Sequence, residues 1–117
     1  MQIPVISFVA PVEGIDGEFN TFRLGKKLST TLKPGDEVLI MDGNAMMAIG
    51  RAEVIRVELG RLAEMCVEHA AKNHRELTNQ DTQEAPARLF HYIQKLYGPH
   101  IATMTKWTSV IYLRRLE

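Results

Sequence analysis

A small α+β domain is the fold class this chain predicts, and two features of its patterning carry the expectation. Apolar, β-branched runs lie near both ends, from Ile3 to Val9 and from Val110 to Leu113, while the middle follows a helical period. At 117 residues the chain has length for one core and not two, so positions 1–117 read as a single domain.

Each element has its own local reason. Ile3 to Val9 reads as a buried strand between Pro4 and Pro11, and Glu13 to Gly17 as a glycine-punctuated turn. The spacing of Phe19, Phe22 and Leu24 predicts a short helical piece stopped by Gly25. Leu28 to Leu32, rich in threonine, is expected to be extended, and Lys33-Pro34-Gly35-Asp36 a tight turn. Glu37 to Met41 is a strand, Asp42-Gly43-Asn44 a hairpin turn, and Met46 to Val57 a long strand that Gly50 bends or bulges.

The period then changes. Leu62, Met65, Cys66, His69 and Ala70 share one helical face, Arg61, Glu64, Glu68 and Lys72 take the other, and Asn73 continues the inward stripe. His74 to Gln83 reads as an exposed polar loop. A second helix begins near Pro86 and stops before Gly98-Pro99, burying Leu89, Ile93, Leu96 and Tyr97. Val110 to Leu113 suits a central strand, with Arg114 and Arg115 on opposite faces.

Composition narrows the function classes. With 45% hydrophobic and 24% charged residues, global disorder is excluded. The net charge of +0 supplies no overall field, so a polyanion would need a local basic patch. One cysteine, Cys66, excludes an internal disulfide and fits a reducing compartment. No apolar run approaches the roughly 20 residues that cross a bilayer, and the prolines interrupt any signal-peptide core. The expected location is cytoplasmic, with no membrane partner.

Several familiar chemistries fail on spacing. Gly25-Lys26-Lys27-Leu28-Ser29 lacks the first glycine of a phosphate loop, because Asn20 stands there. Cys66 and His69 share a helix face but have no second ligand pair, so no metal and no cofactor is expected. No nucleophile elbow is present. What remains is Arg23 to Lys33, with four cations and three hydroxyls in one short stretch, groups suited to phosphate or carbonyl oxygen. Its plainer reading is a solvated turn. A partnership of Lys27 with Thr30 requires a turn between them. Trp107, beside Lys106, either stacks on a base or fills the core.

Gly25-Lys26-Lys27-Leu28-Ser29-Thr30, followed by Lys33-Pro34-Gly35-Asp36-Glu37-Val38, resembles the signature of ASCH domains of the PUA-like superfamily. Gly50 to Val54, Leu62 to Asn73, Leu96-Tyr97-Gly98-Pro99 and Val110 to Leu113 are similar to the later elements of its small bacterial members, so the likeness spans about Phe19 to Leu116. It implies a small curled β-barrel with two or three helices packed against it, and a cleft beside the Gly-Lys-Lys segment.

The most similar members look like amidohydrolases of acylated cytidine. That resemblance puts a base on Lys27, its pKa lowered by Lys26, Arg23 and burial, and a nucleophile on Thr30. The glutamate of the third role is Asn73 here, which cannot carry a proton; Glu76 is the nearby substitute. Three functions follow as expectations. The first is binding of RNA or a modified nucleoside through Arg23, Gly25, Lys26, Ser29, Asn73 and Trp107, by a monomer or weak dimer. The second is amide hydrolysis. The third is a protein-interaction module with a vestigial cleft and Met41, Met46 and Met47 as adaptable contacts.

Overall fold

The computed structural model describes residues 3–9 and 12–116; Pro11, the second proline of the opening segment, lies outside them. The elements run β1 (Val5–Phe8), β2 (Glu18–Leu24), α1 (Lys27–Thr31), β3 (Glu37–Asp42), β4 (Met47–Arg61), α2 (Leu62–His69), a 3-10 turn (Ala70–Lys72), α3 (Ala85–Tyr97) and β5 (Trp107–Arg115). One five-stranded sheet has the order β1-β3-β4-β5-β2. The β1–β3 pair is parallel and the rest are antiparallel. The sheet curls into a half-barrel with three helices, a small α+β fold.

Two apolar clusters flank the sheet. Ile6, Phe8, Phe19, Val38, Ile40, Val54, Ile111 and Leu113 fill the concave side. Phe22, Leu62, Met65, Cys66, Leu89, Ile93 and Val110 join the convex side to α2 and α3. Cys66 is a core thiol that burial pushes up to about 12, and His69 Nδ1 lies 2.7 Å from the Tyr112 hydroxyl.

Two bulges in β4 produce the curl. The register slips once opposite Ile40 and Met41, skipping Ile49, and again between Val54 and Arg56, skipping Ile55. Gly50 sits beside the first slip, and the Arg115 guanidinium occupies the space a side chain would need there. After the second slip Val57 faces Ile111 on the concave side, as Val54 faces Leu113. Arg61 therefore ends opposite Trp107.

Several expectations are corrected. Phe19 to Leu24 is strand, not helix: both faces of β2 are covered, which removes the alternation a half-exposed strand would show. Leu28 to Leu32 is not extended, because Lys27–Thr31 forms one helical turn. Ser29, Thr30 and Thr31 donate their hydroxyls to the carbonyls of Lys26, Lys27 and Lys27 at 2.7, 2.8 and 3.0 Å, which closes that turn. Val5–Phe8 is an edge strand with alternating burial, not a buried one. The segment after His74 is not wholly exposed, since Asn73, His74 and Glu76 are buried. Arg61 closes a strand instead of opening a helix face. Leu96 and Tyr97 lie on the exposed side of α3.

Candidate functional site

β2, β4 and β5 converge at one end of the sheet, where Leu24 and Gly60 both lie opposite Thr108 and Arg61 opposite Trp107. Gly25, with φ +97, turns the chain there and donates its N–H to the Trp107 carbonyl at 2.7 Å. α1 is fastened by Ser109, whose hydroxyl donates to the Gly25 carbonyl at 2.7 Å and accepts the Ser29 N–H at 3.3 Å.

Trp107 is half-buried and belongs to neither core cluster. The Arg61 guanidinium lies 3.8 Å from its ring centre and the Lys26 ammonium 4.5 Å. Arg61 also donates to the Thr105 carbonyl at 3.1 Å. Neither cation is ion-paired among the described residues. Lys27 and Lys106 are the chain neighbours of this group, and Lys27 is exposed. The result is a group of cations gathered around one indole.

The helical turn supplies the geometry that a Lys27–Thr30 pair requires, because residues three apart share a helix face. The burial expected of Lys27 is not there, since both residues are exposed. Asn73, 2% exposed, uses its amide inside the fold. Its Nδ2 donates to the Asn20 carbonyl and Oδ1 at 3.3 and 3.4 Å, and its Oδ1 accepts the Arg75 N–H at 3.0 Å. Glu76 receives the Arg88 Nε and Nη2 on one carboxylate oxygen at 3.0 and 2.7 Å. Both candidates for the third role are thus engaged structurally. Met46, at the end of the β3–β4 turn, and Met47, the first residue of β4, are exposed.

A second feature lies along the seam where the half-barrel stays open, between edge strands β1 and β2. Phe8 and Phe19 meet edge to face across it, with ring centres 6.2 Å apart. Residues 73–75 cover the free edge of β2 through a bridge from Asn73 to Asn20 and a 3.2 Å bond from His74 N–H to the Asn20 carbonyl. The cleft left in the seam is lined by Ser7, Thr21, Arg23, Arg75, Tyr92 and Tyr97, among others, and among the described residues none that lines it is acidic.

Arg23 places its guanidinium 5.0 Å from the Phe8 ring centre and donates Nε to Thr21 Oγ1 at 3.2 Å. Burial lowers its pKa, partly offset by Tyr97 and Tyr92. Arg75 stacks on Tyr92 at 3.9 Å. His74 donates its Nδ1–H to the Glu13 carbonyl at 3.1 Å, and burial above all pulls its pKa down to about 4.

The structure therefore divides the sequence candidates. Gly25, Lys26, Ser29 and Trp107 come together at the sheet end, while Arg23 and Asn73 line the seam. Sequence reasoning missed Arg61, which only the bulged register places opposite Trp107, and Arg75 with Tyr92, which tertiary packing alone unites.

No family model and no curated protein matches the chain. Solved structures do. Protein EF3133 from Enterococcus faecalis V583, described by family model DUF984, superposes with a TM-score of 0.57 at 9% identity, over 86% of this chain and 61% of that one. An ASCH domain from Lactobacillus crispatus JV V101 superposes with a TM-score of 0.53 at 8% identity, over 87% of this chain and 65% of that one. The chain thus spans under two thirds of the length of either structure. At such identity the likeness speaks for the fold alone, and that fold is ASCH-like.

Proposed function

We propose that this domain binds RNA or a modified nucleoside at the sheet end formed by α1, Arg61 and Trp107. The observation that carries the reading is the pair of cations, Arg61 and Lys26, with no ion pair among the described residues and held over one half-buried indole in a chain of zero net charge. Ammonium and guanidinium groups meet phosphate, and an aromatic edge beside them adds contact with a base. Exposed Lys27 and neighbouring Lys106 extend the same field. The shared ASCH-like fold is consistent with an RNA-binding module.

The test is fluorescence anisotropy with short single-stranded RNAs across a salt series, with Trp107 emission followed in parallel. Affinity should fall with salt, and the Lys26→Ala/Arg61→Ala double variant should bind about tenfold or more weakly with a salt slope reduced by roughly 1–2. No binding at low salt, or binding indifferent to the double variant, overturns the reading. A parallel incubation with acetylated cytidine checks the hydrolytic alternative. Cytidine release that disappears in Lys27→Ala would replace binding by amide hydrolysis.

A further inference from the structure

The seam cleft holds a charge arrangement that neither the fold nor the Trp107 surface requires. Arg23 rises from β2 into a largely desolvated position, and burying a guanidinium without a carboxylate is costly. Its Nε is held by Thr21 and its face by Phe8, yet neither Nη group has a protein partner among the described residues. Arg75 lines the same cleft, stacked on Tyr92. His74, which also lines the cleft, feels the positive charge of both. Two guanidiniums, the hydroxyls of Ser7 and Thr21, and no acidic lining residue among the described residues point to a site made for an anion.

From this geometry we infer that the cleft binds the terminal phosphate of a nucleotide, with Arg23 as the buried anchor and Arg75 as the second fork. A phosphate monoester carries close to two charges and three terminal oxygens, which two planar forks and two hydroxyls can satisfy together. An internal phosphodiester has one charge and two free oxygens and leaves one fork unmatched. A carboxylate does the same. The ring of Tyr97, exposed at the rim of the cleft, offers a face for the attached base. The phosphate comes either from a free mononucleotide or from the end of an RNA strand, and the chemistry at the two arginines is the same. The inference stands apart from the Trp107 surface, whose residues do not line this cleft.

Calorimetric titration decides it, with cytidine, cytidine monophosphate, inorganic phosphate, and an RNA hexamer with and without a terminal phosphate. The monophosphate should bind roughly tenfold or more tightly than the nucleoside, and Arg23→Gln and Arg75→Gln should each remove most of that difference. Without ligand, Arg23→Gln should melt no lower than the wild type, because it removes a buried charge that has no carboxylate partner among the described residues. Preference for the phosphorylated hexamer over the mononucleotide identifies a strand end, and the reverse a free nucleotide; both support the site. Equal binding of nucleoside and monophosphate overturns it, as does failure of every phosphorylated probe to bind. An Arg23→Gln variant that melts lower while keeping full phosphate affinity makes Arg23 structural and also overturns it. The Lys26→Ala/Arg61→Ala variant should keep monophosphate affinity, so failure here and failure of the RNA surface are read separately.

Discussion

The side-chain amide of Asn20 donates to the backbone carbonyl of His69 at 2.9 Å, in a position with no solvent exposure. That single bond ties the middle of β2 to the end of α2, and Asn73 closes the same group from the other side. Asn20→Ala takes this buried side-chain donor from the His69 carbonyl and opens a void, so it should cost about 2–3 kcal/mol. Urea unfolding checks it, and a cost under ~1 kcal/mol would show that water replaces the amide.

Ser109 has a comparable role for α1. Ser109→Ala removes the donor to the Gly25 carbonyl and the acceptor for the Ser29 N–H, both shielded by the strand. A loss of about 1–2 kcal/mol is expected, with faster amide exchange confined to Gly25–Thr31. Unchanged exchange there would mean that the hydroxyl back-bonds alone hold the turn.

Gly14 has φ +71, and a side chain there would overlap the His74 carbonyl. Gly14→Ala therefore meets both a left-handed backbone and a collision with main chain that cannot swing away. It should destabilise by more than ~2 kcal/mol, whereas Gly17→Ala, which meets open space, should stay within about 1 kcal/mol. Thermal melting of the two variants side by side tests the contrast.

Stability should fall with acid because of His74. Its folded pKa, near 4, lies below the ordinary value of about 6.5, so the unfolded chain binds the extra proton. The full contribution is present above about pH 6.5 and drains away as pH drops toward 4, by at most ~3 kcal/mol. His69 is shifted in the same direction, chiefly by burial. Urea midpoints at several pH values should show the decline, and His74→Asn should flatten it. An unaltered slope in that variant would assign the acid sensitivity elsewhere.

What could be read from the sequence was whatever a regular period announces. α3, the long β4, the closing strand and the Pro34-Gly35 turn follow from apolar spacing and turn chemistry. β2 did not, because Phe19 and Phe22 point to different cores and mimic a helical interval. α1 did not, because threonine's preference for strands is overridden when each hydroxyl finds a carbonyl one turn back. The buried state of His74 and Glu76 was hidden by their polarity, since burial there depends on partners far along the chain. For the same reason the places of Arg61 and Arg75 could not be read, since strand register and tertiary packing alone set them.

The bulge at Ile55 has a further meaning for how this strand tolerates change. Val54 and Val57 lie three residues apart yet share the concave face, because one residue between them is outside the ladder. β4 thus carries a spare link. A chain shortened by one residue at this point can close the gap and keep Arg61 opposite Trp107, at the cost of a flatter sheet. A chain lengthened by one has no such slack, and must turn either Val57 or Arg61 to the wrong side.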